Sequence, residues 1–103
     1  MADKLHFIAP NIVVFNCPAC NMRHRVRVNA ATGKGGCGYW TWNRVMDEPT
    51  FYPTLMVYGE HHASRCHSFV RDGRIQFYAD STHALAGQTV ELPDWVAGED
   101  EAL

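Results

Sequence analysis

The chain carries no excess of charge of either sign. Its formal net charge is −2 over 103 residues, so the basic footprint with which nucleic-acid-binding domains neutralise phosphates is missing. The nearest thing to a basic patch, Arg23, Arg25 and Arg27, interleaves with Val26 and Val28 and reads as the solvated face of a strand. No apolar run approaches the roughly 20 residues a membrane-spanning helix requires. The opening Met-Ala-Asp-Lys-Leu-His has no charged-then-apolar secretory pattern. A cytoplasmic setting is therefore expected, with neither nucleic acid nor membrane as partner. Without an export signal, the four cysteines are not expected to form a disulfide framework. H-E-x-x-H and His-x-His are both absent, which removes the usual metalloprotease signatures. The H-x-E and P-C-x-x-C pairing of zinc deaminases is lacking as well, since Pro18 falls inside the C-x-x-C.

What remains is a hydrophobic content of 47% with 12% aromatics, a globular composition that argues against disorder. A chain of this length makes one domain and buries only about two-thirds of its unfolded surface. Its core is thin, and a metal would help staple it. Residues 1–97 are expected to form a single zinc-binding β domain, with 98–103 an acidic, frayed tail. The fold class is mostly β: a small antiparallel meander or barrel-like sheet of about six or seven strands.

Residues 5–15 read as an edge strand broken at Pro10 and then a core strand. Residues 24–28 form the next strand, and Asn29–Gly38, with four glycines, is a loop. Tyr39–Val45 and Thr54–Tyr58 are further strands, separated by a turn at Asp47-Glu48-Pro49. Asp72-Gly73 between two β-rich runs predicts a two-residue type I′ hairpin. In that register Ser68 faces Phe77 and Val70 faces Ile75, while Cys66 falls opposite Ala79 and His67 opposite Tyr78. Cys66, Ser68 and Val70 then share the core side, and His67 and Phe69 point the other way. A short helix or turn is expected over 81–86, stopped by Gly87, and Thr89–Leu92 is a last strand.

Cys17-Pro18-Ala19-Cys20 has the spacing of half a zinc site, because two thiolates three residues apart can take adjacent corners of a tetrahedron. The rival redox motif usually opens a helix, which Asn21-Met22-Arg23-His24 does not resemble. Two more ligands must come from elsewhere. Cys66 lies at the open end of the hairpin, and the turn at Asp80 returns His83 beside it, so the expected ligand set is Cys17, Cys20, Cys66 and His83. His24, Cys37 and His67 are further candidates; His61 and His62 beside Glu60 read as surface residues.

The run Arg65-Cys66-His67-Ser68-Phe69-Val70-Arg71-Asp72-Gly73, followed by Asp80-Ser81-Thr82-His83, resembles a family of small phage and prophage proteins often loosely labelled ammonia monooxygenase. The resemblance spans about residues 15–95. It includes the C-P-x-C knuckle, Trp40-Thr41-Trp42-Asn43 and the Pro49-Thr50…Pro53 segment. It implies zinc and, for a phage-encoded protein, the host cytoplasm. Nothing in the residues supports the oxygenase label, which belongs to a membrane assembly. The family is also similar to a component found beside bacterial ubiquitin-like conjugation genes, for which a peptidase role is inferred. At Ser81 a cysteine is common in the family, so this chain departs from the D-C-T-H pattern there.

Two functions follow. In the first, a closed Cys₃His zinc staples a binding or assembly module that engages a host or phage protein, through an exposed face bearing His67, Phe69 and Tyr78. In the second, the protein is a zinc-dependent hydrolase, possible substrates including ubiquitin-like conjugates. There His67 and His83 hold the metal, with or without His24, and Asp80 or Glu60 serves as base. The first reading stands ahead.

Overall fold

The computed structural model describes residues 2–20, 22–59 and 64–95. Nine short strands and no helix are found among them. The tail over 98–103, together with Glu60, His61 and His62, lies outside the described residues. No helix among those described is long and apolar enough to cross a membrane.

The first sheet is an antiparallel meander of β1 (His6–Ala9), β2 (Ile12–Asn16) and β3 (Arg23–Arg27). Pro10 and Asn11 make a turn, so the expected broken strand is a hairpin with an irregularity between Phe7 and Ala9. In β2 and β3 Val13 pairs with Val26 and Phe15 with His24. Paired residues share a face, and all four of these are buried. Arg23, Arg25 and Arg27 alternate away from that buried face; Arg25 and Arg27 are exposed as expected, whereas Arg23 is half-buried with its guanidinium 5.4 Å from the Trp95 ring.

A two-stranded piece follows, β4 (Thr41–Trp42) with β5 (Phe51–Tyr52). The strand expected over 39–45 is this short because Arg44 takes a positive φ of 62° and turns the chain out of the ladder. The third sheet runs β6 (Leu55–Tyr58), β7 (Arg65–Arg71), β8 (Arg74–Phe77) and β9 (Thr89–Glu91), all antiparallel. Its buried face carries Leu55, Cys66, Val70, Ile75 and Phe77, which join Val13, Phe15, Val26, Trp42 and Phe51 in one core. The core is therefore closed by the first sheet on one side and the third on the other, with Phe51 stacked on Phe15 between them at 6.4 Å.

The hairpin forms where expected. Asp72 and Gly73 have φ of 51° and 79°, the two positive values a type I′ turn demands. Ser68 faces Phe77 and Val70 faces Ile75. The pairing reaches Tyr78, whose N–H donates to the His67 carbonyl at 2.9 Å. At the next step the ladder stops: a turn diverts the chain before Ala79 can pair with Cys66, and the segment after Asp80 makes turns rather than a helix. A Cβ added to Gly73 would lie 3.2 Å from Glu48 Cα. Gly73→Ala should therefore cost about 1–2 kcal/mol through the left-handed backbone. The expected readout is a fall in melting temperature of at least about 4 °C.

Candidate active site and metal centre

Two sites lie back to back on β7. Because side chains alternate along a strand, Cys66 points into the core and His67 points out of it.

On the inner side, the ligand atoms of Cys17, Cys20, His24 and Cys66 all lie within 4.8 Å of one another, and this is the group of metal-ligating residues found among the described residues. The C-x-x-C turn between β2 and β3 presents the first two, closed by the Cys17 N–H donating to the Met22 carbonyl at 2.9 Å. The Cys17 and Cys20 sulfurs are 3.4 Å apart, Cys17 and Cys66 3.9 Å, and Cys20 Sγ lies 3.7 Å from His24 Nε2. A zinc ion at usual bond lengths needs sulfurs about 3.8 Å apart and a sulfur–nitrogen distance of about 3.6 Å. The donor set thus fits a tetrahedral metal. His24 is 2% exposed, with the edge of Phe15 packed against its ring.

The Cys66 thiol beside Cys17 holds Cys17 far below the ordinary thiol range, to about 3, against the opposing effect of burial. Burial, reinforced by the neighbouring Cys17, pushes Cys20 up to about 11. Cys66 is pushed up as well, first by its hydrogen bond to Cys17 and then by burial. A divalent metal bound by these thiolates would displace the thiol protons.

Among the residues expected as ligands, Cys17, Cys20 and Cys66 come together. His83 is not in the group. Its Nδ1 accepts from the Leu85 N–H, its ring meets Phe77 edge-on, and it lines a cavity beside Cys20 and Cys66. His24, a secondary candidate on sequence grounds, stands with the three cysteines instead. The signal was in the strand: with Arg25 and Arg27 facing water, alternation sends His24 inward beside Val26. Cys37 sits exposed at a positive φ of 55° in the glycine loop, apart from the cluster.

On the outer side, His67 Nδ1 lies 3.0 Å from Asp80 Oδ1, and His67 Nε2 lies 3.2 Å from the Thr54 hydroxyl. An ionised carboxylate only accepts, so the proton on Nδ1 belongs to that bond and Nε2 is left to accept from Thr54. His67, expected as a zinc ligand if the protein were a hydrolase, faces away from the cysteines and is engaged at both nitrogens. Thr54 escaped the sequence reading because only the β6–β7 register, with Met56 opposite His67, brings it alongside the imidazole.

The chain around His67 is held tightly. Ser81, 7% exposed, accepts from the His67 N–H at 2.9 Å and donates to the His67 carbonyl at 3.0 Å. Arg65 Nε donates to the Asp80 carbonyl at 2.8 Å, fixing the residue whose carboxylate orients the ring. Tyr78 lies against the imidazole at 4.4 Å between ring centroids. Serine therefore has a use at the position where a family cysteine was expected: its hydroxyl both donates and accepts.

A hydroxyl, an imidazole and a carboxylate thus stand hydrogen-bonded in series, an arrangement that nucleophilic hydrolases use and that is recognised by geometry rather than by order in the chain. The family model described as bacterial ubiquitination-like system serine protease (BubE) matches residues 2–78, and the chain belongs to that family. No curated protein and no solved structure matches it.

Proposed function

We propose that the protein is a zinc-stabilised acyl hydrolase that cleaves peptide or isopeptide bonds of ubiquitin-like conjugates, with Thr54 as nucleophile, His67 as general base and acid, and Asp80 orienting His67. The observation that carries this reading is the unbroken Thr54–His67–Asp80 series at 3.2 and 3.0 Å. The family description, with its serine protease and ubiquitination-like system, supports both the chemistry and the substrate class.

The residues act in two half-reactions. Thr54 Oγ1 attacks the scissile carbonyl carbon while its proton passes to His67 Nε2, and Asp80 stabilises the imidazolium that forms. The carbon–nitrogen bond then breaks as Nε2 returns the proton to the departing amine, leaving an ester on Thr54. Water, losing a proton to Nε2, attacks that ester; the carbon–Oγ bond breaks and Thr54 regains its proton. A zinc ion held by Cys17, Cys20, His24 and Cys66 would supply a structural cross-link, because four protein ligands leave no position for substrate.

A fluorophosphonate probe tests the assignment. Peptide mapping should find the adduct on Thr54 in the native protein and no adduct in His67→Ala; labelling at another residue would overturn it. Asp80→Asn should lower hydrolysis on the order of 10³- to 10⁴-fold by favouring the wrong imidazole tautomer. Melting temperature and metal content should stay unchanged, since Arg65 grips the Asp80 backbone.

A further inference from the structure

Resting on the triad reading above, we propose that the open cavity on the outer face of β7, β8 and β9 is the substrate cleft. Phe69 and Tyr52 form the subsite that seats an apolar side chain next to the scissile bond.

The lattice of the sheet decides where a substrate can approach. On the outer face, beside its hydrogen-bond partners Thr54 and Asp80, His67 has Met56 across on β6, Tyr78 on the β8 side, Arg65 two residues back and Phe69 two residues on. Tyr78 rests on the imidazole at 4.4 Å. Arg65 is committed to Asp80. Met56 faces His67 at a pair that does not exchange ladder bonds: the Gly59 N–H to Ser64 carbonyl bond sets the alternation, and such pairs bring side chains closest.

The direction of Phe69 is the open one. Phe69 begins a cavity of about 450 Å³ that continues over Gln76 and Thr89 to Arg71, Arg74 and Glu91. That volume lies within the range of true ligand sites, roughly 300–1,000 Å³.

Continuing the β6–β7 register one step past Leu55–Ser68 sets Phe69 opposite Thr54. The ring of Tyr52 packs edge-on against Phe69 at 6.3 Å and is 65% exposed, far more than an aromatic with only a structural job requires. The nucleophile thus stands beside two aromatic rings that together can cover one apolar side chain. Beyond them the cleft turns polar. Arg71 reaches Asp72 at 3.7 Å and Arg74 reaches Glu91 at 4.0 Å, and Glu48 adds a further carboxylate to the wall. The matching substrate is an extended peptide segment with an apolar residue at the cleavage point and polar residues further along.

The test uses p-nitrophenyl acetate, too small to fill the subsite, beside fluorogenic peptide pairs that carry Leu or Gly on either side of the scissile bond. The wild type should prefer a Leu peptide at one of those positions by about 10-fold or more in kcat/KM. Tyr52→Ala, at an exposed side chain, should erase most of that preference through KM, and Phe69→Leu should reduce it. Acetate ester turnover should fall by a smaller factor than turnover of the Leu peptide in both. Ester turnover with no Leu preference, or a preference untouched by Tyr52→Ala, would overturn the cleft and leave the triad standing. A wild type inert towards ester and peptides alike would overturn the triad and the cleft together.

Discussion

Thr54→Ala should reduce hydrolysis of p-nitrophenyl acetate and of peptide substrates to background, a loss on the order of 10⁴-fold or more for an isolated nucleophile deletion. Nothing else at the position should change. Thr54 is half-buried, and the contact it makes through its backbone, accepting from Trp40 Nε1 at 3.3 Å, does not involve the hydroxyl. Thr54→Val, which keeps the branched shape and removes the oxygen, should match Thr54→Ala in activity and the wild type in melting temperature. Thr54→Ser should retain activity, because it preserves the hydroxyl that reaches His67 Nε2. Serine is also the nucleophile implied by the family description. The γ-methyl of threonine restricts rotation about χ1, so the serine variant gains freedom and its rate reports whether that restriction helps or hinders attack. Kinetics of the three variants check the assignment: Thr54→Val retaining a tenth or more of wild-type turnover would eliminate Thr54 as nucleophile.

The second large effect concerns the metal. Freshly purified protein should hold about one zinc per chain, and Cys17→Ser, Cys66→Ser and His24→Ala should each lose it. A structural zinc contributes roughly 10–16 kcal/mol of apparent binding free energy. That matches or exceeds the 5–15 kcal/mol net stability typical of a whole domain, so these variants should melt or aggregate near room temperature. The effect should reach the other side of β7. Cys66 and His67 are consecutive, and a β7 released at Cys66 no longer holds His67 between Thr54 and Asp80.

Metal analysis and thermal melting of a fourth variant give the discriminating comparison. His83→Ala should keep the zinc, because His83 does not belong to the group whose ligand atoms lie within 4.8 Å of one another. Zinc retained in His24→Ala and lost in His83→Ala would return the fourth corner to His83.

How far the residues spoke for themselves depended on how local the determining physics was. The C-x-x-C turn and the Asp72-Gly73 hairpin are decided within a few residues, by ligand spacing and by a backbone that must go left-handed. Both were legible, and so was the division of β7 into an inner Cys66 face and an outer His67 face, since it follows from alternation once the turn is placed. The fourth metal corner was harder. His83 and His24 are both a plausible turn away from the cysteines, and choosing between them needed the depth at which β3 sits beside the knuckle.

Thr54 was out of reach altogether. The β6–β7 loop gives no turn signal that sets a register, and a slip of one residue would send Thr54 to the other face. Sequence by itself determined a mostly β fold, the C-x-x-C knuckle and the hairpin whose far end carries His67 and Asp80. Tertiary structure alone decided that His24 lies among the three cysteines and that the hydroxyl of Thr54, just before β6, meets the imidazole. The first depends on how the sheet of β3 packs against the sheet of β7, the second on the β6–β7 register, and both are settled by packing of the shared core rather than by any local preference of the chain.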